Sequence, residues 1–493
     1  MGLYLGIDLG TTKIAAVLYD SGAGRIKKVI SQPHRALKIS GVFREIDVRK
    51  TLDLSLDIIG RLSSRQEISA LGISSQMHGC LLVDGKNRPA SGLISWQDQR
   101  CLAPFPGKPG RNYLEQILAK AGPESFRDTG TTISAGFLGP TLFWLSQNKK
   151  LPAGVKACFI GDYLASVLTG EPVSPDITCA GSSGFYDIRR KTWLWPVIKK
   201  LNLPPDLFPA VEEPGSILGY LKTAFSGKTV RRQNIPVFRA VGDNQASVLG
   251  SAGHLHKTLL LNIGTGSQIS VRSEKFRRIP GLDTRYFLDN SYLLVGAGLS
   301  GGKTLALAER FFAEAGLELF GRKSNRLYQK MSRLAEEQLF RPDRMFCGPF
   351  FSGTRNNPDR TGFLADIRES NFHPADFIFG LMEGIIFELY SFAERMPKTD
   401  VRHVVGAGNA VRKNPLLGAI AANLFNRDFI VNRTGEEAAL GACFLAAGRL
   451  EKSFAPEETL AGSGYDCPVR PDRQKTAICR ERYRRFRELT QRF

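Results

Sequence analysis

The segment Ile-Asp-Leu-Gly-Thr-Thr-Lys-Ile-Ala-Ala-Val at 7–17 is echoed in the second half of the chain by Leu-Asn-Ile-Gly-Thr-Gly-Ser-Gln-Ile-Ser-Val at 261–271. In each copy an apolar alternating run reaches a glycine-threonine pair, Gly10-Thr11 or Gly264-Thr265, and a second apolar run follows. That pattern predicts a β-hairpin with a glycine turn. A glycine turn lets backbone N–H groups approach an anion, and adjacent hydroxyls add donors. Either turn alone reads as an ordinary hairpin, but one in each half suggests two lobes gripping one polyphosphate. The copies differ where Asp8 becomes Asn262. A carboxylate beside a phosphate turn calls for a cation, so Asp8 is a candidate for Mg²⁺, held through water because that ion dehydrates reluctantly.

A chain of 493 residues exceeds one core and predicts two or three domains. No apolar run approaches a membrane span, and a strand beginning at Leu3 predicts no secretory leader. The eight cysteines are scattered without zinc spacing, as expected of a reduced, cytoplasmic protein. The net charge of +20 comes from dispersed basic residues. It fits encounter with anionic small substrates better than nucleic-acid binding, which needs a concentrated basic patch. The densest cluster is the C-terminal run Arg480, Arg482, Arg484, Arg485, Arg487 and Arg492. Tyr483, Phe486, Leu489 and Phe493 recur there at helical spacing, which predicts an amphipathic helix with a solvated basic face.

Strand and helix patterns alternate through both halves, predicting α/β layers. Strands are expected near 28–33, 68–74, 236–241 and 401–405, with a further hairpin over 81–88. Helices are expected over 48–61, 113–120, 140–147, 304–315, 325–338, 375–395, 415–425 and 436–447. The domain boundary is placed at 246–257. The resulting division is a first domain over 1–250, a second over 251–450 and a basic extension over 451–493.

Several clusters carry candidate chemistry. Gly242-Asp243-Asn244 closes an apolar strand, where open α/β sheets place catalytic groups. Gln76-Met77-His78-Gly79 ends another strand with polar groups suited to a polyhydroxylated ligand. Trp96-Gln97-Asp98-Gln99-Arg100 adds an aromatic face able to cover a sugar ring, or else only a surface Asp98–Arg100 ion pair. Gly406-Ala407-Gly408-Asn409, between a strand and a helix, leaves room for a ribose or a flat ring. Gly296–Gly301 spells a dinucleotide glycine motif, and Ala297–Thr304 nearly spells a P-loop ending on Lys303. Ala297 in place of a glycine, and the lack of a matching acidic residue downstream, make both minor readings.

Taken together, Gly6–Lys13, Gln76–Gly79, Gly242-Asp243, Asn262–Thr265, Gly301-Gly302 and Gly406–Asn414 resemble the FGGY family of carbohydrate kinases, within the actin-like ATPases. The resemblance spans residues 3–450. It implies two RNase H-like (actin/hexokinase-like) domains flanking a deep cleft, with ATP and Mg²⁺ as cofactors. By this likeness Gly10, Thr11, Thr12 and Lys13 face the terminal phosphates from one lobe, and Gly264 and Thr265 from the other. Gly302, Gly406, Ala407, Gly408 and Asn414 take the nucleoside side. Gln76, Met77, His78, Trp96, Asp243 and Asn244 hold the sugar, with Asp243 as base and Asp8 as metal partner. Residues 95–101, 242–248 and 405–414 are most similar to the sedoheptulose-phosphorylating members. The implied reaction is ATP-dependent phosphorylation of the terminal hydroxyl of a ketose, sedoheptulose first. A xylulose, ribulose or polyol kinase, or a non-enzymatic actin-like ATP-binding protein, is the alternative. Ala407, where relatives carry glycine, implies a crowded adenine pocket, and Thr141, where xylulose-type members often carry lysine, weighs against xylulose. The partners implied are a small sugar and ATP, with neither nucleic acid nor membrane, in a monomer or homodimer.

Overall fold

The computed structural model describes residues 1–492 except 65, 223–233, 337–339, 355–356, 358 and 398–399. Gln338, at the expected end of one helix, and Phe493, the last member of the C-terminal stripe, lie outside the described residues.

Two mixed sheets of the same design organise the chain. In the first, Leu3–Leu9 pairs antiparallel with Lys13–Asp20, which pairs antiparallel with Arg25–Pro33. On its other side Leu3–Leu9 runs parallel to Ile68–Ser75, which runs parallel to Pro236–Phe238. In the second, Thr258–Ile263 pairs antiparallel with Ser267–Ser273, which pairs antiparallel with Tyr292–Gly298. Thr258–Ile263 in turn runs parallel to His403–Ala407, and that strand to Asp428–Val431. The sequence echo is therefore the visible part of a duplicated five-strand arrangement. The turns differ by one residue: Leu9 faces Ile14 across the first, Ile263 faces Ser267 across the second.

Central strands are buried on both faces: Leu5, Ile7, Ile14 and Ile73 of the first sheet and Leu261, Ile263 and Ile269 of the second on one side, Tyr4, Val17, Ala70, Leu260 and Val405 on the other. Helices flank them: Val48–Ser63 and Ile160–Thr169 on the first, and Pro374–Ala393 and Pro415–Phe425 on the second. Val48–Ser63 starts on Asp47, whose carboxylate accepts the Lys50 N–H. The strand expected over 236–241 breaks into Pro236–Phe238 and Val241–Gly242, and helix Asp243–Ala252 starts at once. Leu81–Val83 does turn back at Asp84–Arg88, yet its ladder partner is the distant Lys156–Cys158.

Helix Glu437–Leu450, from the end of the second half, lies across the first sheet. A Cβ on Gly6 would collide with the Ala439 carbonyl, and one on Gly72 with that of Ala442. Gly6 and Gly72 are direct neighbours in the ladder, so together they make a flat track for the helix. The C-terminal helix Arg473–Arg492 buries Cys479, Tyr483, Phe486 and Leu489 in the core of the second lobe. Its basic face is not wholly solvated, contrary to expectation. Arg482 is buried and makes a two-pronged pair with Glu383, at 2.8 and 2.6 Å. Among the described residues no helix is long and apolar enough to cross a membrane.

Candidate active site

Asp8 sits two residues before Gly10 of the first turn, and ladder register sets Ser74 beside it. The Ser74 hydroxyl donates to Asp8 Oδ1 at 2.8 Å. Burial, the charge of Asp243 and that of Glu436 push the Asp8 carboxyl up to about 7, against the Ser74 hydrogen bond and Lys13. The turn is closed by Gly10 N–H donating to the Lys13 carbonyl. Thr12 and Lys13 are exposed, and Lys13 Nζ reaches across to Glu436 at 2.6 Å.

Asp243 is the first residue of helix Asp243–Ala252, where the peptide dipoles favour a negative charge. Its Oδ1 accepts the Asn244 N–H at 2.8 Å, and the Met77 N–H also donates to the carboxylate. Burial outweighs these donors and nearby Arg285, and pushes the carboxyl up to about 6. The helix start is fixed from behind: the Thr178 hydroxyl accepts the Gly242 N–H at 2.8 Å and donates to Asp176 Oδ1 at 2.6 Å. Asn244 Nδ2 donates to Gln268 Oε1 at 2.9 Å, and Gln268 lies in the second hairpin opposite Asn262. Asp243-Asn244 thus stands between the two duplicated hairpins.

Trp96 is 46% exposed, and its indole N–H donates to Thr11 Oγ1 at 2.8 Å. Thr11 Oγ1 in turn lies 3.5 Å from Gln76 Oε1. An aromatic face, the first glycine turn and the strand-end amide are thereby joined in one chain of contacts. His78 stacks on Phe137 with ring centroids 4.2 Å apart, and its Nδ1 lies 3.0 Å from the Ser182 carbonyl oxygen. The Met77 carbonyl accepts the Ser182 hydroxyl.

The second turn is braced by helix Gly302–Phe320. Gly302 N–H donates to the Gly264 carbonyl at 2.7 Å and Lys303 N–H to the Thr265 carbonyl at 3.0 Å. A Cβ on Gly301 would strike the Gly266 backbone. These contacts explain the Gly301-Gly302 pair and overturn the P-loop reading, because N–H groups that such a loop would offer to phosphate are spent on the hairpin. Gly408, at φ +90°, approaches the same hairpin: a Cβ there would lie 2.7 Å from Asn262 Oδ1. Gly406 is required by packing, since a Cβ would enter the Phe429 ring.

Two of the residues expected on the nucleoside side are buried. Asn414 is fully buried and caps helix Pro415–Phe425, with Oδ1 accepting the Leu416 N–H at 3.2 Å and Nδ2 facing Met382 Sδ. The Ala407 methyl is likewise buried, packed in the interlobe core with Ala438 and Ala439. Thr141 is buried within helix Leu138–Gln147. Asp98 and Arg100 form a buried clasp, neither a surface pair nor a sugar contact. Asp98 takes both Arg100 Nε and the Arg44 N–H, while the guanidinium lies over Phe43 and Trp144.

Ser74, Thr178, Arg285 and Glu436 stand in no recognisable motif, and Gln268, though within the echoed segment 261–271, is set apart there by no pattern of its own. For Ser74 a signal existed: a hydroxyl in the strand predicted to flank Asp8.

The arrangement offers a half-buried carboxylate at a helix start, an exposed aromatic face beside polar side chains and two hydroxyl-bearing turns. It can accept a proton from an alcohol while the turns receive an anionic tail.

Comparison with known proteins agrees. The N-terminal domain model of the FGGY family of carbohydrate kinases matches residues 3–250, and its C-terminal domain model matches 259–449. A sedoheptulokinase from Mus musculus is 28% identical over 457 residues, covering 84% of this chain and 90% of that protein. A xylulose kinase from Escherichia coli K12 is 26% identical, with 99% of both chains covered. The solved structure of a xylulose kinase from Lactobacillus acidophilus shares the fold, with a TM-score of 0.85 at 20% identity over 99% of this chain and 98% of that one. With both halves matched, the chain belongs to the FGGY family of carbohydrate kinases and is a phosphotransferase whose substrates are a sugar and ATP.

Proposed function

We propose that the protein transfers the γ-phosphoryl group of ATP to the terminal hydroxyl of a ketose, with sedoheptulose as acceptor and sedoheptulose 7-phosphate as product. The observation that carries this reading is the place of Asp243, set at a helix start between the duplicated hairpins and beside Met77. Asp243 takes the proton of the acceptor hydroxyl as its oxygen attacks phosphorus and ADP leaves. The transition state is loose, so a carboxylate of modest basicity suffices and positioning does most of the work. Gln76, Met77, His78, Trp96 and Asn244 surround the sugar. Thr11, Thr12 and Lys13 bear on the terminal phosphates from one lobe and Gly264 and Thr265 from the other, with Gly302 and Gly408 towards the nucleoside. Closure of the lobes excludes water from the transfer.

Asp8 fits Mg²⁺ through water. Its carboxyl is pushed up to about 7 by burial and neighbouring carboxylates, a charge deficit that a cation relieves. A single carboxylate suits an ion that keeps most of its water shell and takes its remaining ligands from phosphate oxygens. The ion supplies charge neutralisation on the triphosphate.

Sedoheptulose is preferred because the mouse and human relatives carry that name at 28% and 27% identity. Xylulose is the second reading, from the relative matching along the whole chain. The test is ADP release from Mg-ATP with sedoheptulose, xylulose, ribulose, fructose and glycerol, with the product's phosphate position read by ³¹P NMR. The highest kcat/KM is expected with sedoheptulose. A pentulose preference overturns the acceptor assignment, and ADP release independent of any sugar overturns the whole reading.

A further inference from the structure

The second sheet ends at the strand Asp283–Tyr286, which is stapled to the first lobe on both sides of Arg285. Thr284 N–H donates to the Gly130 carbonyl at 2.7 Å, and the Tyr286 carbonyl accepts Gln245 Nε2 at 2.8 Å. Gln245 is two residues past Asp243. Arg285 is therefore delivered into the first lobe's sugar pocket by backbone contacts, not by a flexible reach.

Its guanidinium is only 6% exposed. Nη2 pairs with Asp283 Oδ2 at 2.9 Å, and Nη1 rests 3.9 Å from the Met77 sulfur, a weak acceptor. Nε is buried and has no hydrogen-bond partner among the described residues. A buried cation with unused donors is costly unless something accepts them. Arginine has five N–H donors and no acceptor, so what it lacks is lone pairs. The group nearest to its free side is Met77, the residue whose own N–H is donated to Asp243.

We propose that Arg285 is a specificity residue that donates hydrogen bonds to the sugar oxygen neighbouring the acceptor hydroxyl, so that the enzyme takes polyols with a vicinal oxygen at that place. This rests on the sugar lying against Asp243 as described above. The two side chains divide the work: Asp243 takes a proton from one sugar oxygen and Arg285 gives hydrogen bonds to the next. The pocket is completed by a side chain from the opposite sheet, which makes sugar recognition sensitive to the relation between the lobes.

The test compares wild type, Arg285→Met and Arg285→Lys on whichever sugar wild type phosphorylates best, and on its analogue deoxygenated at the carbon next to the phosphorylated one. Removing a charged hydrogen bond raises the sugar KM of Arg285→Met about 10- to 100-fold. The KM for ATP stays at the wild-type value, and Arg285→Lys recovers part of the loss. Wild type discriminates against the deoxy analogue, while Arg285→Met treats both sugars alike, as for two partners of one contact. Equal discrimination by wild type and Arg285→Met overturns the proposal, as does an unchanged sugar KM. Should Arg285→Met fail to fold, a wild-type enzyme indifferent to the missing oxygen overturns it equally well. Failure to phosphorylate any ketose counts against the proposed function alone, because this comparison runs on any accepted polyol.

Discussion

Asp243 and Asp8 face one another across the site with carboxyls pushed up to about 6 and about 7, each mainly by burial. A base works only when ionised, so kcat/KM for the sugar falls as the pH drops through about 6, and Arg285 is one cation keeping that limb from lying higher. The pH profile of kcat/KM checks this, and a flat profile between pH 5 and pH 8 contradicts it. Asp243→Ala loses turnover by about 10²- to 10⁴-fold, the usual worth of general-base catalysis. Near-normal turnover removes Asp243 from the base role. Asp8→Asn, which copies Asn262, raises the Mg²⁺ needed for half-maximal rate about 10- to 100-fold, as loss of a partner acting through water does. An unchanged magnesium titration counts against the assignment. Both aspartates were legible because each interrupts an apolar strand at its end. Arg285 was not, since nothing along the chain marks a strand of the second sheet as reaching into the first lobe. Asn414 caps a helix as well, and Asn-Pro ahead of an apolar run is itself the signal for that helix start.

The C-terminal helix shows how an element can be recognised while its environment is misjudged. The spacing of Tyr483, Phe486 and Leu489 marked its buried stripe, and all three do enter the second lobe's core. Arg482 lies just before that stripe and was grouped with the solvated arginines. Its partner Glu383 comes from the middle of helix Pro374–Ala393, about a hundred residues away, where a glutamate in an apolar run was the only hint. Backbone carbonyls of Pro342, Arg344 and Met345 complete the shell around the guanidinium. Glu383→Gln leaves that cation buried with its charge unmatched and costs about 3–5 kcal/mol. Glu488→Gln, which loosens only an exposed contact with Arg485, stays within about 0.5 kcal/mol. Urea unfolding followed by tryptophan and tyrosine fluorescence separates them. Equal midpoints for the two variants would mean that the helix is held by its apolar stripe alone.

Duplication makes two lobes, and glycines decide how the lobes meet. Helix Glu437–Leu450 rests on Gly6 and Gly72 of the first sheet and crosses helix Asp243–Ala252 where Gly441 meets Ala246 and Gly250 meets Glu437. The duplicated strands revealed that there are two lobes, but the crossing was illegible, because a glycine inside a helix looks the same whether it faces water or another backbone. Its consequence reaches the chemistry at both ends. One crossing helix begins with Asp243, and the other with Glu437, whose carboxylate takes the Gly408 N–H and pairs with Arg412. Widening the crossing must therefore move Asp243 relative to the second turn. Gly441→Val places its side chain against the Ala246 carbonyl, where no flexible neighbour can yield. Overpacking of this kind costs about 1–3 kcal/mol. It also lowers kcat by about 10²-fold, the penalty for a displacement of about 1 Å at the reacting groups. Gly462→Ala, with nothing near its added methyl, changes neither. Thermal melts and steady-state rates on the two variants separate a structural from a functional effect. If Gly441→Val melts early yet turns over normally at low temperature, the crossing holds the lobes together without setting the position of Asp243.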